Sequence, residues 1–258
     1  MSKDRFEEID VVRGVAVTLM MAYHLIFDLN MVGLVNLSIG SGPLEVFADV
    51  TAGIFFTVVG ISLYVSFVRT KRDEKYLVIT LRKYLLRGAK IFAWGMIITL
   101  VTFLLFPNLV VLFGALQFIG VSVIIGYLAI EFTYRWRKGI RFLFLVLVLV
   151  IWVLGSGYLH GINVDHPFLI WIGMIPSGFQ SLDYFPLFPW FSCVLGGLVV
   201  GDLLYPDGRR RSNLYKFSNA PTEFLGRHAL IFYFAHQPII YLGIIIFQFF
   251  FSRGLSFP

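Results

Sequence analysis

Seven stretches of this chain are apolar over the length a bilayer demands, and the polar segments between them alternate in charge. A helix needs about 20 mostly apolar residues to cross the hydrocarbon layer. Such runs are Asp10–Met31, Val46–Phe67, Tyr84–Phe106, Val111–Ile130, Ile140–Gly157, Phe185–Leu204 and Thr222–Phe251. The fold this predicts is all-α: a polytopic transmembrane bundle of about seven spans, forming one integral membrane domain over residues 1–258. Composition argues against a soluble fold. The chain is 58% hydrophobic and 14% charged, where soluble domains are about 25% charged. A globule cannot hide that much apolar side chain, so lipid must cover part of it. The last run contains Pro238, which predicts a kink there. Phe168 to Ile175 is too short to span, and segment 163–176 reads as a lipid-edge or re-entrant piece or an extra element.

The cations set the orientation. Lys71, Arg72, Lys75, Arg82 and Lys83 lie between the second and third runs. Arg135, Arg137, Lys138 and Arg141 lie between the fourth and fifth, and Arg209, Arg210, Arg211 and Lys216 between the sixth and seventh. The intervening segments, 32–45, 107–108 and 158–184, contain no Lys or Arg. The positive-inside rule places the N-terminus in the cytoplasm and the C-terminus outside, in the plasma membrane of a cell. The formal charge of +6 belongs to these patches and argues for a lipid partner rather than nucleic acid. Met1 to Asp10 is acidic and polar, and the first run has no small-residue cleavage site, so it is expected to be retained as a span. Cys193 is the single cysteine. It has no disulfide partner and reads as apolar filler; no metal is predicted.

Ionisable groups in a bilayer are costly and face a bundle interior, which makes them functional pointers. In the first run Asp10 and Arg13 are three apart and can pair on one face. His24 and Asp28 are four apart on one face. The carboxylate could hold one ring nitrogen and leave the other as a base, or the pair could simply tie helices together. His24 lies roughly 21 Å along the helix from Asp10, past the midplane. In the last run His236 falls at a similar depth; it and Gln237 are either site groups or interhelical glue. Arg227 and His228 sit near the inner face, as ligand groups or snorkelling anchors. Arg82, Lys83, Arg87 and Lys90 open the third run and could hold phosphates or face anionic headgroups. Asp49 opens the second run on the outer side, as a substrate group or a plain helix-terminus charge. His160, Asp165, His166 and Asp183 form either a substrate rim or a solvated loop. Tyr184, Phe185, Phe188, Trp190 and Phe191 suit an interface belt. Phosphate-loop, dinucleotide, HExxH and Gly-x-Ser-x-Gly motifs are all missing.

Five motifs in register resemble a known family. They are Asp10-Val-Val-Arg13-Gly14 leading to Met21-Ala-Tyr23-His24-Leu-Ile-Phe-Asp28-Leu-Asn30; Phe55 to Leu63 with Gly60-Ile-Ser62; Phe113-Gly114-Ala-Leu116-Gln117-Phe-Ile-Gly120; Asp183-Tyr-Phe-Pro-Leu-Phe-Pro189-Trp190; and Gly226-Arg227-His228-Ala-Leu ahead of His236-Gln237-Pro238. The pattern is similar to the bacterial and archaeal relatives of heparan-alpha-glucosaminide N-acetyltransferase. A first span carrying Arg13-Gly14 and then His24 is also similar to the membrane acyltransferase 3 family.

The resemblance implies transfer of an acyl group, acetyl above all, from cytoplasmic acetyl-CoA or another acyl-CoA to an acceptor at the outer face. The acceptor it implies is a small molecule or glycan such as an amino sugar. It implies His24, Asp28 and His236 as catalytic, with His24 as base or acyl-accepting nucleophile. Arg13, Arg82, Arg87, Lys90, Gln117 and Arg227 would hold the cofactor, and Asp49, Asp183 and Gln237 the acceptor. A homodimer is compatible with it. The chain departs from the glucosaminide branch in one respect: that branch carries its histidine in the segment before the second span, and here 32–45 has none. His24 is the replacement implied by the acyltransferase 3 branch. Two other classes compete. A proton-coupled transporter would also use intramembrane His, Asp and Arg. A non-catalytic membrane subunit would use them only as glue.

Overall fold

A computed structural model describes residues 5–38, 41–71, 77–136, 138–159, 164, 167–212 and 217–251. His160, Asp165 and His166, with Arg72, Lys75, Arg137 and Lys216 of the basic patches, lie outside these residues. The chain forms eight α-helices in the described residues: α1 (Glu7–Met31), α2 (Pro43–Lys71), α3 (Leu77–Leu105), α4 (Ala115–Thr133), α5 (Lys138–Leu159), α6 (Leu187–Leu204), α7 (Ala220–Arg227) and α8 (Ala229–Phe251). No strand occurs among them. Six helices (α1, α2, α3, α4, α6 and α8) are long and apolar enough to cross a membrane, and α5 covers the fifth expected run. Segment 167–169 is a single 3-10 turn followed by further turns, with Ile170 buried.

The last run differs from expectation. Its interruption falls at His228 rather than Pro238, which lies inside the continuous α8. Two donors share one carbonyl at this point. The Phe224 oxygen accepts the His228 backbone N–H at 3.2 Å and the His228 Nδ1 at 2.9 Å. The His228 backbone (φ −109°, ψ 23°) leaves helical geometry. Its own carbonyl then accepts from Ile231 and Phe232 and starts α8.

The chain divides into two compact units, residues 1–55 with 213–258 and residues 56–212. In the first, α1 packs along α7 and α8. The contact is backbone against backbone. A Cβ on Gly14 would overlap the Thr222 carbonyl, and one on Gly226 would overlap the Asp10 carbonyl. Only glycine allows this approach.

In the second unit α4 packs on α3 and α6, and α5 packs on α6. The apolar stretch of α4 is 61% buried, against 17% for α3, so α4 is the core helix and α3 faces outward. Leu100, Phe103 and Leu104 of α3 are exposed apolar side chains suited to hydrocarbon. Phe56 meets the rings of Phe118 at 4.4 Å and Phe185 at 5.2 Å. Gly60 and Gly197 make a second close crossing, between α2 and α6. Arg141 of α5 pairs with Asp202 of α6, which also accepts the Tyr64 hydroxyl.

Replacing glycine by alanine inside a helix ordinarily gains about 1 kcal/mol. Gly196 has open space around it, and Gly196→Ala should be neutral or stabilising. Gly14→Ala should instead cost about 1–3 kcal/mol through overpacking. Thermal unfolding in detergent compares the two; equal midpoints would dismiss the crossing.

Candidate active site

His24 and His236 stand equally far along the chain from the glycines of the α1–α7 crossing. Along the unbroken α1 that is roughly 15 Å beyond Gly14, while the path from Gly226 crosses the break at His228. The two rings meet with centroids 4.9 Å apart. Tyr23 lies edge-on to His24 at 5.4 Å, and Tyr233 lies 5.9 Å from His236.

Each imidazole has one nitrogen engaged. His24 Nδ1 is 2.8 Å from Gln237 Nε2. The Gln237 amide donates, so the His24 Nδ1 accepts and its ring proton resides on Nε2. His236 has the opposite arrangement. Its Nδ1 is 3.0 Å from the Phe232 carbonyl oxygen. A carbonyl only accepts, so His236 Nδ1 carries the proton and Nε2 presents a lone pair. That Nε2 is buried and has no hydrogen-bond partner among the described residues, in a side chain 6% exposed.

The expected His24–Asp28 bond is replaced by the bond to Gln237. Asp28 is buried one turn along α1, and its Oδ2 has no hydrogen-bond partner among the described residues. Spacing of four residues puts both groups on one face but does not aim them at each other. Gln237, chosen from the sequence as an acceptor ligand, is the side chain that orients the ring.

Near the start of α1 the expected Asp10–Arg13 pair forms at 2.5 Å. Asp10, 4% exposed, also meets Arg5 at 2.7 Å and Arg227 at 3.8 Å. Arg13 donates to the Gly226 carbonyl at 3.3 Å. Arg227 pairs with Glu223 of its own helix. One buried carboxylate thus gathers three guanidiniums, of which Arg5 and Arg227 stay exposed. Asp49 is exposed on α2 in this same unit.

The remaining predicted residues belong to the second unit. Arg82, Arg87 and Lys90 are exposed along α3. Gln117 and Asp183 have hydrogen-bond partners at the start of α4. Gln117, 1% exposed, accepts from the Gly114 N–H at 3.1 Å and donates to the Thr99 hydroxyl at 2.8 Å. Asp183 accepts from the Ala115 N–H at 3.0 Å. Both satisfy otherwise orphaned donors at the N-terminus of α4, a charge-favoured place for a carboxylate. The Arg141–Asp202–Tyr64 cluster was not anticipated. Its signal is legible, since Asp202 is the one acidic residue inside the sixth run. Among the described residues no cluster of His, Cys, Asp or Glu could hold a metal ion.

Apolar spanning helices with imidazoles, guanidiniums and carboxylates among them define an integral membrane protein with ionisable groups in its helices. The family described as heparan-alpha-glucosaminide N-acetyltransferase, catalytic, matches residues 5–238, and the chain belongs to that family of membrane acetyltransferases. No curated protein and no solved structure matches the chain.

Gln117→Leu leaves a buried N–H and a hydroxyl without their partner. It should lower stability by about 1–3 kcal/mol. Thermal unfolding in detergent reads the change, and an unchanged midpoint would dismiss the structural role of the Gln117 side chain.

Proposed function

We propose that this chain is an acyl-CoA-dependent acetyltransferase of the plasma membrane. It passes an acetyl group from cytoplasmic acetyl-CoA to an amino sugar or glycan at the outer face. The observation that carries this reading is the meeting of His24 and His236 at one level of the first unit, with one buried nitrogen unpartnered. Buried side-chain nitrogens in a pair used only as interhelical glue ordinarily have a hydrogen-bond partner. The family supplies the reaction class.

Positions along the chain give each group its place in this reading. The guanidiniums of Arg13 and Arg227, aligned by Asp10, are assigned to the phosphates of the nucleotide, where charge-assisted bonds are strongest. By the positive-inside rule they lie at the cytoplasmic end. Arg82, Arg87 and Lys90, exposed on α3, raise the local concentration of an anionic ligand there. The histidines lie deeper, where a thioester at the end of the pantetheine arm would meet the acceptor. Asp49 is assigned to the acceptor's entry on the outer side.

Two measurements test the reading. Coenzyme A at 100 times its dissociation constant should stabilise the detergent-purified protein by about 2.7 kcal/mol. His24→Ala should lower acetyl transfer at least about 10²-fold and leave that stabilisation intact. Full activity of the variant would remove His24 from the chemistry. Solute accumulation in vesicles without coenzyme A would favour a transporter instead.

A further inference from the structure

The two imidazoles differ in a way that divides the chemistry between them. We propose that His236 Nε2 is the proton acceptor of the transfer, and that His24, held by Gln237, donates its Nε2–H to the developing oxyanion. This rests on the acetyltransferase reading above.

The Phe232 carbonyl sits one helical turn before His236 and receives the Nδ1–H at 3.0 Å. A backbone carbonyl has no tautomer and cannot exchange roles, so the lone pair of His236 is committed to Nε2. That atom is buried and unpartnered, in a residue more than nine-tenths buried. The ring beside it is committed the other way. Gln237 donates to His24 Nδ1, which places the proton of His24 on Nε2. Adjacent residues of α8 thus set both rings, Gln237 from its side chain and His236 through its own turn. The product is one acceptor and one donor on rings 4.9 Å apart, the two functions that acyl transfer needs.

The step balances as follows. The acceptor's amine nitrogen forms a bond to the thioester carbonyl carbon, and the carbonyl electron pair moves to oxygen, where His24 Nε2–H receives it. His236 Nε2 takes the proton from the attacking amine. The oxyanion then re-forms the carbonyl, the carbon–sulfur bond breaks, and the thiolate takes the proton from His236. Acetyl-CoA and amine become acetamide and free coenzyme A, with His236 restored.

Four variants of the full chain in detergent test this, with acetyl-CoA as donor and glucosamine or hydroxylamine as probe acceptors, read by thiol release. His236→Asn keeps a donor for the Phe232 carbonyl and removes Nε2. It should retain its fold, and its kcat with glucosamine should fall about 10²–10⁴-fold at unchanged KM for acetyl-CoA. Hydroxylamine, a strong nucleophile that is neutral at pH 7, should recover most of that loss. His24→Gln keeps a donor near the Nε2 position and should lose less than His24→Ala, which hydroxylamine should not rescue. Gln237→Leu removes the donor to His24 Nδ1, so the ring proton is no longer held on Nε2 and kcat should fall by up to about 10²-fold at unchanged KM for acetyl-CoA. Unchanged activity in Gln237→Leu, or an active His236→Asn, overturns the division of roles while leaving the acetyltransferase reading intact. If the unmodified protein releases no thiol with either acceptor, that reading fails first.

Discussion

The approach of α1 to α7 at Gly14 and Gly226 governs the first unit. Two backbones meet there without side chains between them, a contact driven by packing rather than by exclusion of water. It fixes the axial register of two segments far apart in sequence. Every polar encounter in the unit then follows from counting along the helices. Asp10 reaches Arg13 and Arg227 beside the crossing, and nearly three turns further on His24 reaches Gln237 and His236. A slip of one residue would rotate each side chain by about 100° and dissolve both clusters. The close contact explains why a glycine precedes or follows an arginine at both positions, as Arg13-Gly14 and Gly226-Arg227.

Both units combine satisfied polar networks with buried atoms that have no hydrogen-bond partner among the described residues. In a low-dielectric setting a polar group without a partner costs heavily, so the places where this is tolerated are informative. In the second unit Gln117, Asp183 and Thr99 answer one another or the backbone at the start of α4. In the first, His236 Nε2 and Asp28 Oδ2 have no hydrogen-bond partner among the described residues, and in the second the same holds for Ser122 Oγ and Arg141 Nε. Satisfied networks rigidify the elements that carry them.

The helices were legible in the amino-acid order because hydrocarbon demands a length and a polarity that few segments meet. The level of the two histidines was legible too, since a helix rises by a constant amount per residue. Direction around the helix axis was harder. Spacing put Asp28 and His24 on one face, but the side chain that arrived at Nδ1 came from α8, through a crossing that no local pattern announces. The hydrogen bonds of Gln117 and Asp183 at the start of α4 were hidden for a related reason. A helix start inside a membrane protein has orphan N–H groups, and polar side chains beside it serve those first. The break at His228 was hidden because Pro238 is the more obvious breaker, yet a lipid-facing helix tolerates proline, and the backbone leaves helical geometry at His228 instead.

The Arg141–Asp202 pair carries a consequence for biogenesis. Arg141 stands at the beginning of α5 and Asp202 near the end of α6, 61 residues later, so the two charges close the open end of a helical hairpin. During synthesis the guanidinium is made long before its counter-ion exists. Until α6 emerges, α5 must rest with that charge drawn toward headgroups and water. Docking of the hairpin is therefore the event that neutralises it, with the Tyr64 hydroxyl already waiting on α2. Insertion and folding of this part of the chain are thereby coupled: α5 reaches its final depth only in the company of the helix that follows it.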